Sequence, residues 1–209
     1  MRSDRPEHPV IVSWVPPLAR VLDVGCGEGT LSERLARERG ASVWGIDVSR
    51  TGAAQAARKG VRVVCADLNA GFPIGPVRFD VVVLNQVLTH VRRPGEVLAG
   101  ALERADRVVV AYPNLGYWRS RLDLLARGRF PRSVLYGRAW HENRQIHLHT
   151  HRDFLDLLRR FPAWRIGRRA FLGSDSRTPS LLARRFPGLF AMICILELVR
   201  VQDAPARSW

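Results

Sequence analysis

The chain lacks any apolar run long enough to cross a membrane. Its longest one, residues 189–196, is far short of the roughly 20 residues that a spanning helix needs. Residues 1–8 are polar, and residues 9–15 are too short and too broken to form the apolar part of a signal peptide. We therefore expect a cytoplasmic protein with no membrane contact.

Cysteine is also scarce. Only Cys26, Cys65 and Cys194 are present, and this small, odd number gives no sign of a disulfide framework. All three fall in predicted strands or in a glycine loop. We therefore predict reduced, buried thiols, as is usual for a protein of a reducing compartment.

Acidic residues are too few to balance the basic ones. The 209 residues include 33 basic and 19 acidic side chains, for a net charge of +14, and Lys59 is the one lysine. Residues 111–209 hold most of the excess, and such a surface can attract nucleic acid, an anionic small molecule or an acidic protein. Because the arginines are dispersed and no aromatic-interleaved motif accompanies them, nucleic acid is the least favoured of the three.

What the chain does have is a glycine loop between a strand and a helix. Residues 21–24 read as a short buried strand, and residues 30–38 have the apolar spacing of a helix. A dinucleotide fingerprint would require glycine where Thr30 stands. The acidic Asp23 and Glu28 would repel a pyrophosphate, so the loop suits a ligand with an ammonium group and neutral hydroxyls.

Strands and helices then alternate along the chain. We predict strands at 42–47, 61–67, 79–85 and 107–112, separated by helices at 51–59 and 94–105. Residues 163–172 and 190–200 are expected to add an antiparallel pair at the sheet edge. The fold class is α/β, a doubly wound, mainly parallel seven-stranded sheet in one domain over residues 1–209, with its ligand at the carboxyl edge.

The D-x-G-x-G-x-G run resembles the first motif of class I S-adenosylmethionine (SAM) methyltransferases, which have a Rossmann-like fold. An acid at the end of the second strand can accept hydrogen bonds from ribose hydroxyls, although each strand-end acid could instead cap a turn. The resemblance implies SAM as cofactor and a binding site at the strand ends. Its expected residues are Asp23, Gly25, Cys26, Gly27, Gly29, Asp47, Val48, Asp67, Leu68, Asn85 and Gln86.

Two later stretches resemble the methionine biosynthesis protein MetW family. They are P-N-x-G-x-W-R-x-R-L-x-L-L-x-x-G-R-x-P at 113–131 and W-x-x-x-x-x-I-H-L-x-T at 140–150. The resemblance covers about residues 12–200 and implies a partnership with homoserine O-acyltransferase (MetX) in methionine synthesis. Two alternatives stay open: an active SAM-dependent methyltransferase on a small-molecule acceptor, and a nucleic-acid methyltransferase or binder.

Methyl transfer needs a base only if the acceptor carries a proton to remove. The candidate catalytic residues are His90, Tyr112 and Asn114, with Tyr117 nearby at the rim of the fifth strand. For His90, a surface or capping histidine is the competing interpretation, and it is favoured. Trp118 and its neighbouring arginines are equally compatible with an acceptor or partner site and with a structural role.

His147, His149 and His151 alternate, and His141 and Glu142 lie close in sequence. On a strand, alternate histidines would share one face and could bind zinc or iron. However, residues 150–153 read as the capped start of a helix, which would break that geometry. We therefore interpret these histidines as structural and expect no metal.

Overall fold

We analysed a computed structural model that describes residues 5–131, 141, 145–173 and 181–201. Seven strands form a single sheet in the order β3-β2-β1-β4-β5-β7-β6. Neighbouring strands are parallel from β3 to β5, and β7 is antiparallel to both β5 and β6. The strands are β1 (Arg20–Val24), β2 (Ser42–Asp47), β3 (Arg62–Cys65), β4 (Val81–Asn85), β5 (Arg107–Pro113), β6 (Trp164–Leu172) and β7 (Ile193–Arg200).

Helices cover both faces of this sheet, which confirms the predicted doubly wound architecture with antiparallel strands at one edge. They are α1 (His8–Trp14), α2 (Thr30–Arg39), α3 (Arg50–Arg58), α4 (Pro94–Glu103), α5 (Trp118–Arg127), α6 (His151–Leu158), α7 (Leu181–Arg185) and α8 (Pro187–Phe190), with a 3-10 turn at Leu68–Ala70. No helix of the described ranges is long and apolar enough to cross a membrane.

The central strands are apolar at nearly every position because both of their faces are buried. In β4, Val82 and Leu84 belong to a core on the side of α4 and α6. Val81 and Val83 belong to a second core on the side of α1 and α2. This explains why residues 81–84 show no polar alternation.

Several predicted boundaries shift for local reasons. Phe79 makes only an isolated bridge to Ala105, so β4 begins at Val81. The chain from Pro187 to Phe190 is helical, so β7 begins at Ile193 and not at 190. The prediction of a buried thiol is wrong for Cys65, which is exposed because it ends the edge strand β3, whereas Cys26 and Cys194 are buried.

Two arginines bond the C-terminal end of α1 and the residue after it, namely Arg168 from the edge strand β6 and Arg39 from the end of α2. The Arg168 guanidinium donates to the carbonyl oxygen of Trp14 over 2.8 Å, stacks over its ring and pairs with the buried Glu197. Arg39 donates to the carbonyl of Val15 over 2.7 Å. These bonds fix the segment that enters the site described next.

Candidate functional site

The glycine loop turns sharply at the end of β1. The backbone N–H groups of Gly25 and Cys26 both donate to the carbonyl of Ile46, over 2.7 and 3.1 Å. Gly25, Gly27 and Gly29 all have positive φ, a conformation that favours glycine. The chain therefore needs glycine at each of the three alternate positions to turn its backbone at the carboxyl end of β1.

The three glycines differ in the space beside them. A Cβ on Gly25 would lie 2.2 Å from Val87 Cγ2, and one on Gly29 would lie 2.9 Å from the Cα of Ala56. A Cβ on Gly27 would meet no atom within 4 Å. Gly25 and Gly29 are thus required for packing, whereas Gly27 leaves its backbone open toward a ligand.

Asp47 holds the loop in place from the neighbouring strand. Its Oδ2 accepts from the N–H of Gly27 over 2.7 Å, and its Oδ1 accepts from the N–H of Ser49 over 2.8 Å. A carboxylate has about four acceptor sites. Asp47 therefore keeps acceptor capacity for ligand hydroxyls after both loop bonds are formed.

Asp23 is buried beneath the loop and accepts from Ser32 Oγ over 2.6 Å. Burial raises the pKa of this carboxyl to about 7, and the nearby charge of Asp47 adds to the rise, while Ser32 and Arg5 oppose it. The group is therefore poised to change its charge near neutral pH.

A cavity of about 300 Å³ opens between this loop and α1. That volume is at the lower end of the range for small-molecule sites, about 300–1,000 Å³. The cavity is lined by Arg5, His8, Asp23, Gly25, Cys26, Gly27, Glu28, Thr30, Leu31, Ser49, Thr51, Gly52 and Asn85.

Five predicted cofactor residues line this cavity, namely Asp23, Gly25, Cys26, Gly27 and Asn85. The other predicted ones, namely Gly29, Asp47, Val48, Asp67, Leu68 and Gln86, are not among its lining residues. Asp67 Oδ1 accepts from the backbone and side-chain nitrogens of Asn69. Asp67 therefore caps the turn that begins at Leu68, which is the alternative role that we considered for each strand-end acid. Their assignment to the cofactor stays a prediction.

Sequence reasoning missed the lining residues from α1 and from the start of α3. Ser49 and Thr51 follow Asp47 directly, so their position after the second strand was a usable signal. Arg5 and His8 carry no such signal, because α1 reaches the cavity only through its tertiary contacts. Arg5 adds positive charge beside Asp23.

The end of β4 is unusually polar and strained. Gln86 is buried with a φ of 60°, and its Nε2 donates to Oε1 of the fully buried Glu7 over 2.6 Å. Glu7 Oε2 and Asn85 Oδ1 are buried atoms that accept no hydrogen bond from the part of the chain that the structure describes. Buried acceptors of this kind are costly unless a donor satisfies them. Asn85 lines the cavity, so its free oxygen suits a ligand that carries N–H or O–H groups.

The candidate catalytic residues occupy three different environments. His90 is exposed and is not among the cavity-lining residues. Tyr112 is fully buried, not at a rim, and its hydroxyl lies 2.9 Å from His151 Nδ1. Tyr117 is also buried. A catalytic role for any of them stays a prediction.

Asn114 is a buried junction between segments. Its Oδ1 accepts from the N–H groups of Gly116 and His151, each over 3.0 Å. Its Nδ2 donates to the carbonyl of Ala191 over 2.8 Å and contacts that of Pro187 at 3.2 Å. These bonds give Asn114 a positioning role, since they join β5 to α6 and α8.

The histidines do not share a strand face. Thr150 and Asp153 form a capping box, so α6 begins at His151 as predicted. Burial lowers the pKa of His149 to about 4, so its ring is neutral at physiological pH. Within the described residues, no group of three side chains could hold a metal ion. Glu142 lies outside those residues.

The poised carboxyl of Asp23 gives a prediction about pH. Its pKa is about 7 in the folded state, against an ordinary value of 3.8, so the folded state binds this proton more tightly. That stabilisation is complete below about pH 4 and is lost as the pH rises through 7. Between pH 5 and pH 8 the free energy of unfolding should fall by about 2–3 kcal/mol from this group. Urea unfolding of the wild type and of Asp23→Asn across that range measures the difference, and parallel curves would contradict it.

Comparison with known proteins identifies the family. The model of the family described as methionine biosynthesis protein MetW matches residues 5–198. A bifunctional methionine biosynthesis protein MetXA/MetW of Rhodopirellula baltica is 29% identical over 159 residues, which are 71% of this chain and 25% of that protein. A ubiquinone biosynthesis O-methyltransferase of Pseudomonas aeruginosa is 38% identical over 102 residues, 44% of each chain. The chain thus spans less than half the length of these relatives.

Solved structures share the architecture. Magnesium protoporphyrin IX methyltransferase from Synechocystis, solved with bound SAH, superposes with a TM-score of 0.63 at 24% identity, over 93% of this chain and 82% of that one. An S-adenosylmethionine-dependent methyltransferase from Mesorhizobium loti gives 0.63 at 19% identity, over 93% and 97%. The sheet order and these superpositions show the class I methyltransferase fold, and the match over residues 5–198 shows that the chain belongs to the MetW family.

Proposed function

We propose that this protein binds SAM in the cavity at the glycine loop and supports a homoserine O-acyltransferase (MetX) in methionine biosynthesis. The observation that carries the proposal is the cavity itself, which combines the open backbone of the glycine loop with the buried carboxyl group of Asp23 in a MetW family chain. The bifunctional MetXA/MetW relative supports the partnership, because its name places both activities in one polypeptide.

The donors and acceptors of the cavity fit the polar groups of SAM. Asp47 would accept from the ribose hydroxyls, and Asp23 would face the ammonium group. The free Oδ1 of Asn85 would accept from a donor beside them. Arg5 would attract the carboxylate. Asp67 and Leu68, at the end of β3, remain the proposed contacts of the adenine.

When bound, SAM supplies an electrophilic methyl group, so the chain mainly needs to position a nucleophile and exclude water. Helix α1 and the residues just before it contribute His8 and Arg5 to the cavity wall and the buried Glu7 to the end of β4. They thereby close one side of the site.

An active methyltransferase on a small-molecule acceptor is the second candidate. The ubiquinone biosynthesis O-methyltransferase relatives favour it, although the similarity covers only 44% of this chain. This candidate predicts methyl transfer that falls when His90 is replaced, although His90 is exposed and lies off the cavity lining. SAM binding without turnover, together with acceleration of homoserine acylation, would favour the accessory role.

Calorimetric titration with SAM and S-adenosylhomocysteine, with NAD as control, tests the cofactor proposal. Asp47→Ala should weaken SAM binding by about 1.5–3 kcal/mol, or about 10- to 150-fold in Kd, because it removes charged acceptors from the ribose and from the Gly27 N–H.

Asp80→Ala is the matched control for that variant. In the wild type, Asp80 Oδ2 also accepts from a backbone N–H over 2.7 Å, that of Arg20, but at the start of β1 and away from the cavity. The control should bind SAM like the wild type. Unchanged affinity in Asp47→Ala would refute the assignment of Asp47 to the cofactor.

A further inference from the structure

Helix α5 leaves most of its apolar side chains in solvent. Within Trp118–Arg127 only Ser120 is fully buried, whereas Leu122 is 51% exposed and Leu125 is 88% exposed. Trp118, Leu122 and Leu125 follow each other at intervals of four and three residues, so they form one stripe. A contiguous exposed apolar stripe typically marks an interaction site.

A second exposed apolar group adjoins the start of this helix. Leu181, Leu182, Phe186 and Leu189 of the α7–α8 segment are all exposed. The two segments meet where a Cβ on Gly116 would lie 2.9 Å from the carbonyl oxygen of Gly188. We call the exposed apolar side chains of α5 and of α7–α8 together the α5 surface.

Positive charge surrounds the α5 surface. Residues 118–130 and 181–190 contain six arginines and a single acidic residue, Asp123, which pairs with Arg127 over 3.0 Å. Arg119 lies over the Trp118 ring, and Arg185 lies over the Phe186 ring. Tryptophan and arginine together are the residue types that dominate binding energy at protein interfaces.

This charge argues against a second copy of the chain as the occupant. A two-fold interface places the same patch on both sides, so arginines would face arginines. An apolar face rimmed with carboxylates would instead complement both the leucines and the charge. The exposed leucines equally disfavour nucleic acid, which offers phosphates but no comparable apolar face.

We propose that the α5 surface is the docking site for an acidic-rimmed apolar face of the homoserine acyltransferase, an inference that rests on the function proposed above. None of its residues lines the cavity at the glycine loop. Partner docking and cofactor binding are therefore separable by mutation.

The test uses the full chain and a purified homoserine acyltransferase in a binding titration, with SAM calorimetry as the check on folding. Leu122→Asp combined with Leu125→Asp should weaken the complex at least tenfold and leave SAM affinity unchanged. Leu125→Asp alone changes a side chain that is 88% exposed, so it cannot cost core packing and should weaken binding in the same direction.

Leu18→Asp is the matched control, since Leu18 is 80% exposed and precedes β1 at the opposite end of the sheet. It should bind the acyltransferase like the wild type. If the wild type and both Leu125 variants bind equally well, the docking site is overturned while the partnership stands. If the wild type does not bind, the partnership fails and the docking site with it. If the Leu125 variants instead lose self-association while their acyltransferase binding is unchanged, the occupant is a second copy of the chain and the proposal is overturned.

Discussion

Gly25→Val should strongly destabilise the fold. The new Cβ would lie 2.2 Å from Val87 Cγ2, in a part of the core where Val87 is itself buried. The φ of +72° adds the strain of a left-handed conformation, about 1–2 kcal/mol for an L residue and more for a β-branched one. With overpacking of about 1–3 kcal/mol, the free energy of unfolding should fall by about 4 kcal/mol. Urea denaturation followed by circular dichroism measures this loss.

Gly27→Ala is the companion variant, because it shares the positive φ without the clash. A Cβ there meets no protein atom within 4 Å, so only about 1–2 kcal/mol of strain should appear. Its effect should fall on the ligand, since the methyl group occupies the open side of the loop. A folded Gly27→Ala that binds SAM normally would contradict close backbone approach at this position. Equal stability of the two variants would contradict the packing role of Gly25.

Much of the fold could be predicted because its signals are local. The strand β1, the alternating glycines and the helix α2 lie within 20 residues, and each has its own periodicity or backbone requirement. The near-continuous apolar strands indicated burial on both faces, and parallel neighbours then place their carboxyl ends at one edge. Asp23, Gly25 and Asn85, which the resemblance to class I methyltransferases implied, line the cavity at that edge.

The features that were missed depend on contacts between distant parts of the chain. Gln86 bonds Glu7 across 79 positions, and Arg5 and His8 reach the cavity at the N-terminal end of α1, whose last residue Trp14 accepts from Arg168. Nothing in residues 5–8 indicates this. Similarly, Tyr112 was expected at a rim, but residues 151–154 of α6 pack over it and bury it.

Asn114→Leu should be the other strongly destabilising substitution. Leucine has a similar size but cannot bond the N–H groups of Gly116 and His151 or the carbonyl of Ala191. Each buried group left without a partner costs about 1–3 kcal/mol. Because some of these groups can relax toward solvent or one another, we expect a total loss of about 3–5 kcal/mol in the free energy of unfolding.

Asn69→Leu provides the comparison for Asn114→Leu. Asn69 also bonds through both polar atoms of its side chain. Its Nδ2 donates to Asp67 and its Oδ1 accepts from the N–H of Arg92, but at positions that water can reach. It should lose only about 1 kcal/mol, since exposed partners can bond water instead. Equal losses in the two variants would refute the junction role of Asn114.

The same experiment separates positioning from chemistry at Asn114. If Asn114 only joins β5 to α6 and α8, the folded fraction of Asn114→Leu should retain its SAM affinity, because none of its partners lines the cavity. Any methyl transfer or acyltransferase activation per folded molecule should also persist. A stable variant that has lost turnover would instead assign Asn114 to the reacting groups, and would place the acceptor against the buried end of β5.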